Sequence, residues 1–88
     1  MTRDVTVLNA LGLHARAAAR FVQTAARFSA RIHVTRDGRT VDGKSLMGVL
    51  LLAAPRGAVL TIDADGPDAG AALEALATLV GSGFGEGV

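Results

Sequence analysis

Gly12-Leu13-His14-Ala15-Arg16 sets an imidazole and a guanidinium two residues apart, where the amphipathic run Ala17-Ala18-Ala19-Arg20-Phe21-Val22 begins. The first N–H groups of a helix have no partner within it, and its macrodipole places about half a positive charge there. An anion formed on His14 would be stabilised at that point, by roughly 0.3–2 kcal/mol from the dipole alone. The same field favours a neutral ring, the form that can attack phosphorus. Once phosphorylated, the ring would gain nearly two negative charges, which the helix amides and the Arg16 guanidinium could offset. Modest stabilisation suits a group that must be given up again. His14 is therefore a candidate phosphoryl acceptor and Arg16 its stabilising partner. His33 alternates with Ile32 and Val34 and is expected on the solvent face of a strand.

A second constellation, Gly38-Arg39-Thr40-Val41-Asp42-Gly43-Lys44-Ser45, matches the phosphate-binding pattern G-x-x-x-x-G-K-[ST]. Its context opposes nucleotide hydrolysis. Thr40-Val41 falls in a hairpin, the following helix is about two turns, and a chain this short cannot supply the parallel sheet such a loop needs. Ser45 remains, as the N-cap of Leu46–Leu52 and as a possible phosphorylation point that would put new negative charge on the surface beside it. Leu46, Met47 and Leu50 cannot all be covered by so short a helix and are candidates for a partner-docking surface.

At 88 residues the chain supports one domain, and a second catalytic lobe is excluded. Half the residues are hydrophobic, but no apolar run approaches the roughly 20 that span a bilayer. The chain opens on no secretory-type signal and has no cysteine for a disulfide or thiolate metal site, so a cytoplasmic location is the default expectation. Net charge is +1 but uneven. Residues 1–44 carry eight Arg or Lys against three Asp, about +5, and residues 45–88 one Arg against five acids, about −4. The basic half has one lysine, only Phe21 and Phe28 as aromatics, and no nucleic-acid-binding motif, so acidic protein partners suit it better than nucleic acid.

The elements that must position these residues follow from periodicity. Arg3–Leu8 alternates as a strand, Ala15–Arg27 has a helical stripe at Ala18, Phe21, Val22 and Ala25, and Arg31–Arg36 pairs with Arg39–Asp42 across Asp37-Gly38. Arg16, Arg20 and Arg27 fall on the opposite, solvent stripe of the first helix, where they would steer the protein toward acidic rims. Ala58–Ala64 is a fourth strand. Pro67 is expected at the first position of a last helix, with Asp68 complementing its dipole and Ala69, Ala72, Leu73, Leu76, Leu79 and Val80 facing inward. Gly81, Gly83, Gly85 and Gly87 predict a frayed tail. The order strand, helix, strand, strand, helix, strand, helix, with one-sided strands, predicts an α+β domain with a mainly antiparallel sheet and its helices on one face.

Gly12-Leu13-His14-Ala15-Arg16, with Gly43-Lys44-Ser45-Leu46-Met47-Gly48-Val49 and the Phe84-Gly85-Glu86 ending, resembles HPr, the histidine phosphocarrier family of the bacterial phosphotransferase system. The resemblance spans nearly the whole chain. It implies an open-faced sandwich of four antiparallel strands, sheet order 1-4-2-3, covered on one side by three helices. It further implies that enzyme I phosphorylates His14 at Nδ1, that Arg16 steadies the phosphoryl group, and that an enzyme IIA domain receives it. Ser45 matches the serine that an ATP-dependent HPr kinase phosphorylates in many members, and Leu46, Met47 and Leu50 match the shared docking patch, with Arg20 beside it. No cofactor or metal is implied, and a monomeric relay rather than an autonomous enzyme is expected. One position departs from the pattern: Ala17 stands where most members have proline. Together with the Phe-Gly-Glu ending it looks more like the branch linked to nitrogen-type and regulatory phosphorelays. The rival readings are a contact-only regulatory module of the same fold, controlled at Ser45, and a small ATPase dependent on Lys44.

Overall fold

A computed structural model describes residues 1–86. Its elements run β1 (Thr2–Thr6), α1 (Ala15–Ala25), β2 (Arg31–Arg36), β3 (Arg39–Asp42), α2 (Leu46–Leu51), β4 (Val59–Asp65) and α3 (Ala69–Gly81), followed by a 3₁₀ turn at Gly83–Gly85. The four strands form one antiparallel sheet in the order β1-β4-β2-β3. Register explains which faces are buried. Val5 pairs with Leu60, Val34 with Ile62 and Ile32 with Ala64, so one face of the sheet is aliphatic. Phe21, Ala17 and Ala18 of α1, Val49 of α2, and Leu73, Leu76 and Val80 of α3 join that face in a single core. The other face carries Thr and Asp pairs, including Thr61 donating to Asp4 Oδ1 at 2.7 Å, and the exposed His33.

Several boundaries are shorter than the periodicity predicts. Val7 lies past the end of β1 but still exchanges bonds with the opposite chain, its N–H on the Ala58 carbonyl at 2.9 Å and its carbonyl accepting Gly57 N–H at 2.7 Å. α1 stops at Ala25 because Arg27 and Phe28 N–H turn back to the Thr24 and Ala25 carbonyls, tightening the last turn. Pro67 lies before α3 rather than at its first position. Asp68 occupies the N-cap without capping the helix through its side chain. Its carboxylate instead accepts Ser29 N–H at 2.9 Å and Ala30 N–H at 2.8 Å, pinning the turn that leads into β2. These bonds, led by that from Ser29, hold the Asp68 carboxyl below its ordinary value.

The tail is also corrected. Gly83 and the Phe84 ring are buried, so the chain past α3 folds back onto the core instead of fraying. Gly83, Phe84 and Gly85 are all left-handed, with φ of 65°, 57° and 72°, and this run reverses the chain toward the start of α1. Gly87, the last residue of the expected frayed segment, lies outside the described residues.

The short α2 is held from both ends. Ser45 Oγ accepts Gly48 N–H at 3.0 Å, as expected of an N-cap. At the other end the β2–β3 hairpin contributes two guanidinium donors, Arg36 to the Leu52 carbonyl and Arg39 to the Leu51 carbonyl, each at 3.0 Å. These satisfy carbonyls that a helix end leaves unpaired. The residues matching the phosphate-loop pattern are thereby divided among a hairpin turn, β3 and the cap of α2. The Lys44 ammonium donates to the Phe28 carbonyl at 2.6 Å.

Candidate functional site

The loop between β1 and α1 is shaped by backbone contacts with the segment after α2. Leu13 N–H donates to the Ala54 carbonyl at 2.8 Å. Gly12 has φ +66°, and a Cβ there would lie 2.5 Å from Ala54 O, so only glycine fits. This delivers His14 to the N-cap of α1 in extended conformation. The first intrahelical bond runs from Ala18 N–H to the His14 carbonyl, leaving the amides of Ala15, Arg16 and Ala17 ahead of it.

The ring is held at both nitrogens. Nδ1 accepts Arg16 N–H at 3.3 Å, a long bond, and Nε2 lies 2.5 Å from Glu86 Oε2. These partners assign the tautomer: the proton is on Nε2 and the lone pair on Nδ1. The other Glu86 oxygen accepts Asn9 Nδ2 at 2.9 Å, and the same Asn9 nitrogen donates to the Gly12 carbonyl at 2.7 Å. Partial burial pushes the Glu86 carboxyl up, but the bonds from Asn9 and His14 and the charges of His14 and Arg20 outweigh it. The carboxyl stays below its ordinary value and is ionised at neutral pH.

Arg16 is exposed and its guanidinium has no side-chain partner among the described residues. Arg20, expected on the solvent stripe, is half-buried and donates to the Phe84 carbonyl. It therefore fastens the C-terminal turn to α1, a placement the helical stripe alone did not reveal. His14, Arg16, Arg20 and Glu86, with Ala10 and Leu11, line an open cleft of about 670 Å³. The cleft offers a nucleophilic nitrogen, free helix amides and an unpaired guanidinium in one place, an arrangement suited to a transferable oxyanion.

Ser45, Leu46, Met47 and Leu50 do not line this cleft; they lie on the neighbouring α2, which packs beside α1. Leu46 and Met47 are 45% and 68% exposed. Leu50 is half-buried against the core, whereas Leu51, absent from the sequence-based patch, is 56% exposed. Sequence reading also missed Asn9 and the role of Glu86. The only local signal was the Gly-Phe-Gly spacing before Glu86, which reads equally as disorder. Among the described residues no group of three His, Cys, Asp or Glu side chains could hold a metal, and no helix is long and apolar enough to cross a membrane.

Known proteins share this arrangement along their full length. The family model for the PTS HPr component phosphorylation site matches residues 1–82. The phosphocarrier protein HPr of Cupriavidus necator is 48% identical over 87 residues, covering 99% of this chain and 98% of that one. The crystal structure of HPr-C-His from Thermoanaerobacter tengcongensis superposes with a TM-score of 0.96 at 42% identity, covering 100% of this chain and 99% of that one. The crystal structure of a phosphocarrier protein HPr from Bacillus anthracis str. Ames gives 0.88 at 49% identity, covering 91% and 95% of the two chains. With the 1-4-2-3 antiparallel sheet, the three helices and a histidine at the mouth of α1, the chain belongs to the HPr family, the phosphocarriers of the phosphotransferase system.

Proposed function

We propose that this phosphocarrier accepts its phosphoryl group from enzyme I on His14 Nδ1 and passes it to an enzyme IIA domain. The observation that carries this reading is the pairing of the two ring nitrogens: Nε2 is anchored on Glu86 while Nδ1 faces the amides of α1 with only a long, displaceable bond. The Nδ1 lone pair attacks phosphorus, the N–P bond forms as the donor's bond breaks, and the Nε2 proton stays in place. The exposed Arg16 guanidinium and the first amides of α1 take up the phosphoryl charge. The protein is a relay whose rates are set with its partners, and it acts as a monomer presenting one face to each in turn.

The exposed Leu46 and Met47, with the rim of Leu50, form the apolar part of the docking face, and Arg20 lends positive field beside it. Ser45 is the regulatory position, phosphorylated where the host supplies an HPr kinase. A phosphate on its Oγ would place about two negative charges against that apolar face and weaken docking of acidic partners.

Incubation with phosphoenolpyruvate and enzyme I, followed by ³¹P and ¹H–¹⁵N NMR, tests the assignment. Wild type should show an acid-labile phosphohistidine substituted at Nδ1, and His14→Ala none. A phosphoryl group on His33, or none with an active cognate enzyme I, would overturn it.

A further inference from the structure

We infer that Glu86, held by Asn9, is a positioning residue that keeps a proton on His14 Nε2 throughout the transfer cycle. This deepens the proposed function and rests on Nδ1 as the phosphoryl site. The geometry is over-determined for a chance contact between residues 72 apart in sequence. Glu86 Oε2 takes Nε2 at 2.5 Å, Oε1 takes Asn9 Nδ2 at 2.9 Å, and Asn9 ties both to the Gly12 carbonyl at 2.7 Å. Asn9 is 1% exposed, and its Oδ1 has no hydrogen-bond partner. An unpaired buried amide oxygen is unfavourable. It is tolerated here because both bonds the site asks of Asn9 are donations, so the NH₂ must face the site and the oxygen must turn away. The turn that presents Glu86 is itself built for the task. Phe84 holds a left-handed φ of 57° with its ring buried, and Arg20 grips its carbonyl.

The chemistry follows the proton. Before transfer, a proton on Nε2 leaves Nδ1 as the nucleophile. After transfer, a ring with phosphorus on Nδ1 and a proton on Nε2 is cationic, and the Glu86 carboxylate stabilises it. When a histidine nitrogen of the enzyme IIA domain attacks phosphorus, the N–P electron pair returns to Nδ1 and the ring departs as neutral imidazole. Without the Nε2 proton it would depart as imidazolate, a far poorer leaving group. The charged groups facing the ring are Arg16 and Arg20 of α1 and Glu86 of the C-terminal turn; the loop from Asn9 to Leu13 brings none. Of the three, only Glu86 contacts Nε2, and only it is an acceptor.

Glu86→Gln makes the test sharp because it preserves shape. Asn9 donates to the position of Oε1, so the glutamine oxygen would turn there and its NH₂ would face Nε2, enforcing the opposite tautomer, with the proton on Nδ1. ¹⁵N NMR of the ring should find the proton on Nε2 in wild type and mainly on Nδ1 in Glu86→Gln. Asn9→Ala should move the ring part of the way, with amide spectra confirming the fold. Phosphoryl uptake from enzyme I and delivery to enzyme IIA should each fall about tenfold in Glu86→Gln, ~1.4 kcal/mol of barrier. Delivery should also decline at a lower pH than in wild type. Phosphohistidine in wild type with the same ring tautomer and the same transfer rates in Glu86→Gln would overturn the role of Glu86 alone. Absence of phosphohistidine in wild type would overturn both this inference and the carrier assignment.

Discussion

Two helices of this protein start with a polar side chain on an orphan amide, and the two caps differ. Ser45 accepts Gly48 N–H at 3.0 Å, and its hydroxyl is fully engaged in starting α2. His14 accepts Arg16 N–H at 3.3 Å, and its ring is restrained from the far side by Glu86. One cap closes a helix; the other holds its place until an anion takes the amides. The same local physics thus serves stability in one helix and chemistry in the other. What separates them is a contact from the distant end of the chain.

Exchanging the roles breaks the comparison most severely at His14. His14→Ala should abolish phosphoryl uptake from enzyme I, measured by incorporation of labelled phosphate, while Ser45→Ala should leave uptake nearly intact. Arg16→Ala should slow transfer about 10- to 100-fold, the worth of one charge-assisted hydrogen bond to the phosphoryl oxygens, with little change in urea midpoint. Ser45→Ala should show the reverse pattern, lowering unfolding free energy by about 1 kcal/mol in urea titration with transfer unchanged.

The smallest effect concerns acid. The Glu86 and Asp68 carboxyls sit below their ordinary values of 4.5 and 3.8 in the folded state. Their contribution to stability is therefore complete above those values and is lost as pH falls through the folded-state values. Thermal midpoints should decline on acidification below about pH 4.5, and Asp68→Asn should flatten part of that decline without touching phosphoryl uptake.

The sheet, the three helices and the acceptor histidine were legible because each is written in a local period or a short motif. Val34 and Ile62, or Phe21 and Ala25, declare their face by spacing alone. The supports of the site were not legible, because they join residues with no periodic relation. Asp68 reads as a helix-starting acid, yet its carboxylate serves Ser29 and Ala30. Arg20 reads as a solvent arginine, yet it closes on the Phe84 carbonyl. Four spaced glycines read as fraying, whereas two of them supply the left-handed bends that bring Glu86 to the ring. Leu50 and Leu51 show the same limit at smaller scale, since a six-residue helix cannot reveal by period which of two adjacent leucines faces out.

The arginines at the end of α2 carry a consequence for how the molecule breathes. Too short to persist alone, α2 depends on Arg36 and Arg39 for its last carbonyls, and its continuation, Ala54, holds the amide of Leu13. Hairpin, α2 and the histidine loop are thus serial members of one opening unit, and their amides should exchange with solvent deuterium together. A partner that settles on α2 therefore quiets the loop that carries the phosphoryl group, coupling recognition to readiness with no displacement of either.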